Sequence, residues 1–517
     1  MMKRINITIM AVMLMAGIPF AEEATASKQM LAGSKTAYDS WFEAEFDRHI
    51  GEIGEFVKFP TVASQPENAK SLEPAAQWLV ERLTAIGMES AKIHPAEGYP
   101  IVTAEWLHAK EQPTVLIYGH FDVQPADPEK WDTPPFEATV KGDRLYGRGA
   151  TDDKGMIIAV ISAIEAMLKA DGTLPVNVKL MFEGQEEYGS PTLLKWINDN
   201  SEWLGADYGY SADAMMQSDD QGLLWRGLKG GCFVEITLKG ANDQVHSGIY
   251  GGIIPNTAAG LSQILASLHN PDGTVAVKGF YNNVDELTEA ERAEIAALPW
   301  DGDALAKSFG LDGLIGEPGY SPQEIRFLRP TLEITGINAG IHGTGGVIPN
   351  EAKAWITSRL VTSQRPSEIV AAIKSHVEQR VPQGLQLEIT GKPITPAVKY
   401  SDEDPAFQIS KSVLTSLLGK PPQIGYVGGG VPALIYMRYL AGRDLVTFGF
   451  QREDENFHAP NEFLRLSSFK IAERGYVKLL QAHVDKPLRV PEPVLELNET
   501  GQFEKVRQSP GAGKMGY

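Results

Sequence analysis

Residues 113–125 read PTVLIYGHFDVQP, a short apolar, β-branched run that ends abruptly in His120 and Asp122. Apolar residues without a polar alternation predict a strand covered on both faces, as in a parallel sheet. Open α/β sheets bind their ligands at the carboxyl ends of such strands, which is where His120 and Asp122 fall. Working outward, AAQWLVERLTAI (75–86) has helical spacing, MIIAVISAIEAMLK (156–169) predicts a second helix, and VNVKLMF (176–182) a second buried strand. Strands alternating with helices predict a mainly parallel sheet with helices on both faces, an α/β fold.

GLKGG (227–231) breaks that order. Beyond it come strand CFVEITLKG, helix PNTAAGLSQILASL, strands TLEITGI and KAWITSRLV, helix PSEIVAAIKSHVEQ and strand LQLEITG. The order β-α-β-β-α-β is that of a compact ferredoxin-like domain. A polar stretch from about Asn270 to Pro330 interrupts it, and no element is assigned there. Helix PAFQISKSVLTSLL, strand DLVTFGF and a final helix from Leu464 to Ala482 then resume the first pattern, so the small domain is an insertion into the large one. The expected organisation is a leader over 1–26, a catalytic domain in two parts over 27–228 and 396–485, the inserted domain over 229–395, and a peripheral tail over 486–517 rich in Pro, Gly and charge.

The 517 residues are 43% hydrophobic and 22% charged, a globular balance large enough to bury its cores without metal or disulfide staples. A net charge of −19 repels phosphate backbones and anionic lipid, which argues against a nucleic-acid partner. Cys232 is the sole cysteine, so there is no intrachain disulfide and no Cys-rich zinc site. A metal would have to be held by His and carboxylate, and would be functional. The N-terminus, MMKRINITIMAVMLMAGIPFAEEATAS, has Lys3 and Arg4, an apolar run to about Phe20, and small residues at Ala24–Ala26. This is the pattern of a secretory signal peptide and points to a periplasmic or secreted protein. The run is short for a membrane span and no second stretch approaches spanning length, so no span is expected after cleavage.

Four further segments carry chemistry. LYGRGATDDKG (145–155) puts Asp152 and Asp153 just before a helix, where carboxylates are also ordinary helix caps. FEGQEEYGS (182–190) puts Glu186 and Glu187 directly after a strand. Adjacent carboxylates point apart, so one can bind metal while the other handles protons. YGYSADA carries Asp213 at another strand end, and NFHAPNE carries His458 in a late loop. Taken singly, each has a commoner reading as a cap, an acidic loop or a solvated residue. Together they have the composition of a dinuclear site built without cysteine.

In their order and approximate spacing, from about Ser40 to Val484, YGHFDVQP, GRGATDDKG, EGQEEYGS, ADYGYSAD and FHAPNE resemble the dizinc metallopeptidase family of carnosinases, glutamate carboxypeptidases and aminoacylases. DDKG, Asp213 and VHSGIYGG are most similar to its carnosinase-like dipeptidases. The resemblance implies a large α/β zinc-peptidase domain with an inserted ferredoxin-like lid or dimerisation domain, and two zinc ions per subunit, with manganese or cobalt as alternatives. It implies that Asp152 bridges the ions, that His120 and Asp213 complete one site and Glu187 and His458 the other, and that the Asp152–Asp153 peptide is cis. Asp122 would orient His120, and Glu186 would be general base and acid. His246 would reach the active site of a partner subunit and stabilise the oxyanion, making a homodimer necessary. Arg359 would clamp a substrate carboxylate.

Two departures bear on the substrate. GGGVP has Gly430 where carnosinase-like enzymes tend to have Ser, and GTGGVIP has Gly346 where they tend to have Thr. The expected activity is hydrolysis of the amide bond of small peptides with a free C-terminal carboxylate. The alternatives are an N-acyl amino acid amidohydrolase using the same site, and a catalytically silent peptide- or metal-binding module.

Overall fold

The computed structural model describes residues 37–65, 70–340, 345–490, 495–497 and 503–505, so the expected leader over 1–26 lies outside the described residues. The chain forms two compact units: one comprises Gly231–Ile394, and the other runs from Ala32 to Gly230 and resumes at Thr395.

The larger unit is built on a six-stranded sheet in the order Glu89–His94, Ile101–Trp106, Asn177–Glu183, Thr114–His120, Tyr208–Ser211, Val446–Thr447. The last four run parallel, and the first two close one edge as an antiparallel pair. The edge pair was not read from sequence, because Glu89–His94 alternates weakly and is largely exposed. The strand expected over DLVTFGF shortens to Val446–Thr447, which pairs with Tyr210 and Ser211.

Helix Gly155–Asp171 is buried at every residue from Gly155 to Met167, which explains why its sequence is apolar all round and not amphipathic. It packs against helices Ala37–Val57 and Leu466–Gln481. Those two helices are joined by a buried bond of 2.6 Å between His49 Nδ1 and Glu473 Oε1. Burial pushes the His49 imidazole down to about 3 and the Glu473 carboxyl well up.

In the smaller unit the strand order is Thr331–Ala339, Glu351–Leu360, Gly230–Lys239, Gln386–Thr395. With helix Thr257–Ala266 after the first strand in sequence and Pro366–Glu378 after the third, this is the βαββαβ arrangement. The stretch 270–330, left unassigned above, holds helices Glu289–Ala296, Gly302–Ser308 and Pro322–Leu328. Two of them begin with capping boxes, Thr288 with Glu291 and Ser321 with Glu324, a signal legible in the sequence.

Of the tail over 486–517, residues 486–490, 495–497 and 503–505 are described. Tyr208 Oη donates to the Pro487 carbonyl at 2.9 Å, and Arg489 Nη2 reaches Asp404 at 3.0 Å. Strands Leu495–Leu497 and Phe503–Lys505 pair, and Phe503 lies against Tyr436 and Tyr439.

Candidate metal centre

The parallel strands deliver their carboxyl ends to one edge of the sheet. His120 ends strand Thr114–His120, Glu186 and Glu187 form a turn three residues past strand Asn177–Glu183, and Asp213 lies two residues past Tyr208–Ser211. Asp152 sits on the turn before helix Gly155–Asp171, with the Asp152–Asp153 peptide cis. Helix capping does not explain these aspartates, since the helix has no side-chain cap. Asp153 instead faces the His120 N–H at 3.4 Å and Gln451 Nε2 at 3.3 Å. His458 arrives from far along the chain because strand Phe463–Arg465 pairs with Arg144–Tyr146, laying the preceding loop beside the Asp152 turn.

Asp152 stands between two imidazoles. Its Oδ1 is 3.1 Å from His120 Nε2, and its Oδ2 is 3.0 Å from His458 Nε2. Asp213 Oδ2 is 3.9 Å from His120 Nε2, and Glu187 Oε2 is 3.1 Å from His458 Nε2. Two groups result, His120–Asp152–Asp213 and Asp152–Glu187–His458, each with ligand atoms within 4.8 Å of one another. Donors about 2.0–2.1 Å from a tetrahedral ion lie roughly 3.3 Å apart, which these spacings bracket.

The polarity of the donors makes the stronger case for a cation. His120 Nδ1 lies 3.2 Å from the Asp122 carbonyl and 3.6 Å from its Oδ1, both acceptors. A proton on Nδ1 leaves a lone pair on Nε2, aimed at the lone pairs of Asp152. That contact is repulsive unless a proton or a metal ion lies there. His458 is pushed up to about 10 by its bonds to Asp152 and Glu187. His120 is raised well above the usual imidazole range: burial opposes its charge, but Asp122 and Asp152 outweigh burial. Burial and the neighbouring Asp152 carboxylate push Asp213 up to about 6. Burial, reinforced by Asp213, Glu187 and Asp122, holds Glu186 well above the carboxylate range despite the easing effect of His120. Carboxylates crowded in this way are chemically consistent with divalent cations.

Asp122 does more than the sequence implied. Its Oδ1 accepts the Glu186 N–H at 2.9 Å and its Oδ2 the Glu187 N–H at 3.0 Å, so it holds the turn carrying both glutamates. Gln124 Nε2 donates to Glu187 Oε2 at 2.9 Å. Lys154 is buried, its Nζ donating to the carbonyls of Phe56 and Phe59 at 3.0 and 2.8 Å, and burial lowers it to about 7.

Sequence reasoning missed Glu455 and Glu462, both fully buried. Glu455 accepts Thr151 Oγ1 at 2.5 Å and the N–H groups of Arg452 and Arg465 at 3.0 Å each. Glu462 accepts Arg148 Nη1 at 2.5 Å and the N–H groups of Gly149, Thr151 and Asp152 at 3.0, 3.2 and 3.3 Å. Glu462 closes the segment FHAPNE, but nothing in a lone Glu at a strand start marks it as buried.

The remaining expected site residues are not part of this cluster. His246 and Arg359 belong to the smaller unit, and both are exposed. His246 Nδ1 accepts the Gly248 N–H at 3.0 Å, which puts the proton of a neutral ring on Nε2. Gly430 belongs to the larger unit. A Cβ there would meet the Lys229 carbonyl and Ile435 Cδ1 at 3.0 Å, so a serine fits only if the neighbours give way. Gly346 has φ +79°, a left-handed conformation that a threonine would adopt only under strain.

His and carboxylate side chains converging at the carboxyl ends of parallel strands have the composition of a metal-dependent hydrolase's centre. The chain belongs to peptidase family M20/M25/M40, whose sequence profile matches residues 116–482. It is similar to a Cys-Gly metallodipeptidase of Schizosaccharomyces pombe, 29% identical over 442 residues that cover 82% of this chain and 93% of the relative. It is also similar to the Beta-Ala-His dipeptidase of Homo sapiens, 27% identical, covering 79% of this chain and 83% of the relative. Among solved structures, an M20 family metallo-carboxypeptidase from Sulfolobus solfataricus superposes with TM-score 0.73 at 30% identity, covering 84% of this chain and 99% of that one. The protein is thus a metallopeptidase of this family, and the reading as a silent binding module gives way.

Proposed function

We propose that the protein is a dizinc dipeptidase, cleaving the amide bond of short peptides that end in a free carboxylate. The observation that carries this reading is Asp152, poised between His120 and His458 with one further carboxylate beside each imidazole. Two divalent ions held there would supply Lewis acidity, making a water acidic near neutral pH and polarising the scissile carbonyl. Zinc suits an N/O donor set, and manganese or cobalt would fit the same ligands.

This chain's own residues do the rest. Glu186 takes the proton from the attacking water and returns it to the leaving amine, a role for which a carboxyl held above its ordinary range is suited. Asp122 keeps Glu186 in place through the turn it binds. His246 offers its Nε2 proton to the oxyanion in the partner subunit's site, and Arg359 binds the substrate carboxylate in a bidentate grip. The homodimer this requires is supported by strand Thr331–Ala339, an edge of its sheet that leaves Ile334 and Ile337 36% and 61% exposed. An open apolar strand edge is a template for pairing. The N-terminal composition supports export to a periplasm or beyond, and no helix among the described residues is long and apolar enough to cross a membrane.

A substrate panel tests the reading: Cys-Gly, β-Ala-His and N-acetyl amino acids, with metal-stripped and zinc-reloaded enzyme. Turnover of dipeptides after zinc is restored is expected. Turnover confined to the acetyl compounds would make the protein a deacylase. Glu186→Ala should lower kcat by about 10²–10⁴ with zinc uptake unchanged. Full activity in that variant removes Glu186 as the base.

A further inference from the structure

We propose that Glu462, together with Arg148, is a positioning residue that sets the affinity of the Asp152–Glu187–His458 group for its divalent ion. The inference rests on the reading of those three residues as ligands, and adds a role for two residues outside the ligand set. Asp152 and His458 are 306 positions apart, and their ring and carboxylate are held at 3.0 Å. Something must fix the two backbones relative to each other.

Glu462 lies four residues after His458, and both its oxygens are spent on the other backbone. Oε2 accepts Arg148 Nη1 and the Gly149 N–H, and Oε1 accepts the N–H groups of Thr151 and Asp152. The last of these belongs to the residue shared by the two metal groups. A second tie comes from Arg148, whose Nη2 donates to the Ala459 carbonyl, next to His458, at 3.2 Å and to the Pro125 carbonyl at 3.3 Å. Pro125 is three residues from Asp122, which holds the Glu187 turn. One buried ion pair therefore ties together the segments that carry Asp152 and His458 and the segment of Asp122, which in turn holds the Glu187 turn. His458 needs such support because its own side chain is 53% exposed. Outer-shell partners that fix ligands in this way are typically worth 10–100-fold in metal affinity.

Glutamine at 462 is the informative change. A carboxylate is acceptor-only at both oxygens, whereas an amide has one accepting oxygen and would turn its NH₂ against two of the four donors. The test strips wild-type and Glu462→Gln enzyme of metal and titrates each with zinc alone, reading bound zinc by equilibrium dialysis and elemental analysis. Wild type is expected to take up two equivalents. In Glu462→Gln, the equivalent held with His458 should bind roughly 10–100-fold more weakly, and the other, which shares Asp152, should weaken by a smaller factor. At limiting zinc kcat should fall with KM unchanged, and excess zinc should restore part of it. A zinc titration identical to wild type, even with a lowered melting temperature, overturns the proposal, because a merely structural residue would move only the latter. If wild type takes up no zinc, the ligand reading and this inference fall together. Should Glu462→Gln fail to fold, Arg148→Lys, which keeps the charge but loses the forked geometry, is judged by the same criteria.

Discussion

As a proposed ligand, His458 is the residue at which protons and metal would compete most directly. In the metal-free protein its imidazole is raised to about 10 by Asp152 and Glu187, against roughly 6.5 in an unfolded chain. A raised histidine contributes stability that is fully present below about pH 6.5 and is lost as pH rises towards 10. Asp213, raised to about 6, acts in the same direction at lower pH, since its deprotonation adds uncompensated charge to the cluster. Metal relieves both effects by replacing the proton. The gap in melting temperature between zinc-loaded and metal-stripped enzyme should therefore widen from pH 6 to pH 9. A gap that stays constant over that range, or one that widens equally in His458→Ala, would show that this histidine is not where zinc displaces a proton.

The turn between strand Arg144–Tyr146 and helix Gly155–Asp171 is the element on which the site depends. A Cβ on Gly155 would stand 2.3 Å from the Ala150 carbonyl and 2.7 Å from Leu464 Cδ2, so no side chain fits without displacing the Asp152 turn or the strand after His458. Gly155→Ala is expected to cost about 1–3 kcal/mol through overpacking and to lose most of the bound zinc. Elemental analysis of purified protein checks this, and full zinc occupancy in that variant would show that the turn accommodates the methyl group. The same element illustrates what could be read from the chain. Taken alone, the two aspartates of DDKG read as a helix cap, and only their company and the resemblance made Asp152 a ligand; the structure leaves the helix without a side-chain cap and both aspartates buried.

For the molecule as a whole, the proposed role of His246 in trans yields a test that needs no structure of the dimer. His246→Ala and Glu186→Ala homodimers should each be nearly inactive. Mixed and allowed to exchange subunits, half the dimers become hybrids, and each hybrid carries one site with both residues intact. Activity should recover to about a quarter of wild type. No recovery under conditions where exchange is demonstrated would place His246 in the service of its own subunit or of none. Arg359 and Gly430 were legible only through resemblance, since an exposed arginine on a strand and a glycine in a loop carry no chemical signal of their own.

What the amino-acid order alone determined was local: apolar runs of strand length, helical spacing, the β-α-β-β-α-β succession, and the acids and imidazoles at strand ends. These follow from short-range periodicity and from the rule that open α/β sheets bind ligands at the carboxyl ends of their strands. Tertiary structure decided what depends on burial and on pairs distant in sequence. The pairing of Phe463–Arg465 with Arg144–Tyr146 brings His458 to Asp152, Asp122 turns out to hold the glutamate turn, and Glu455 and Glu462 become buried anchors. A carboxylate on its own reads as solvated surface, and only the donors that fold around it reveal that it is a strut.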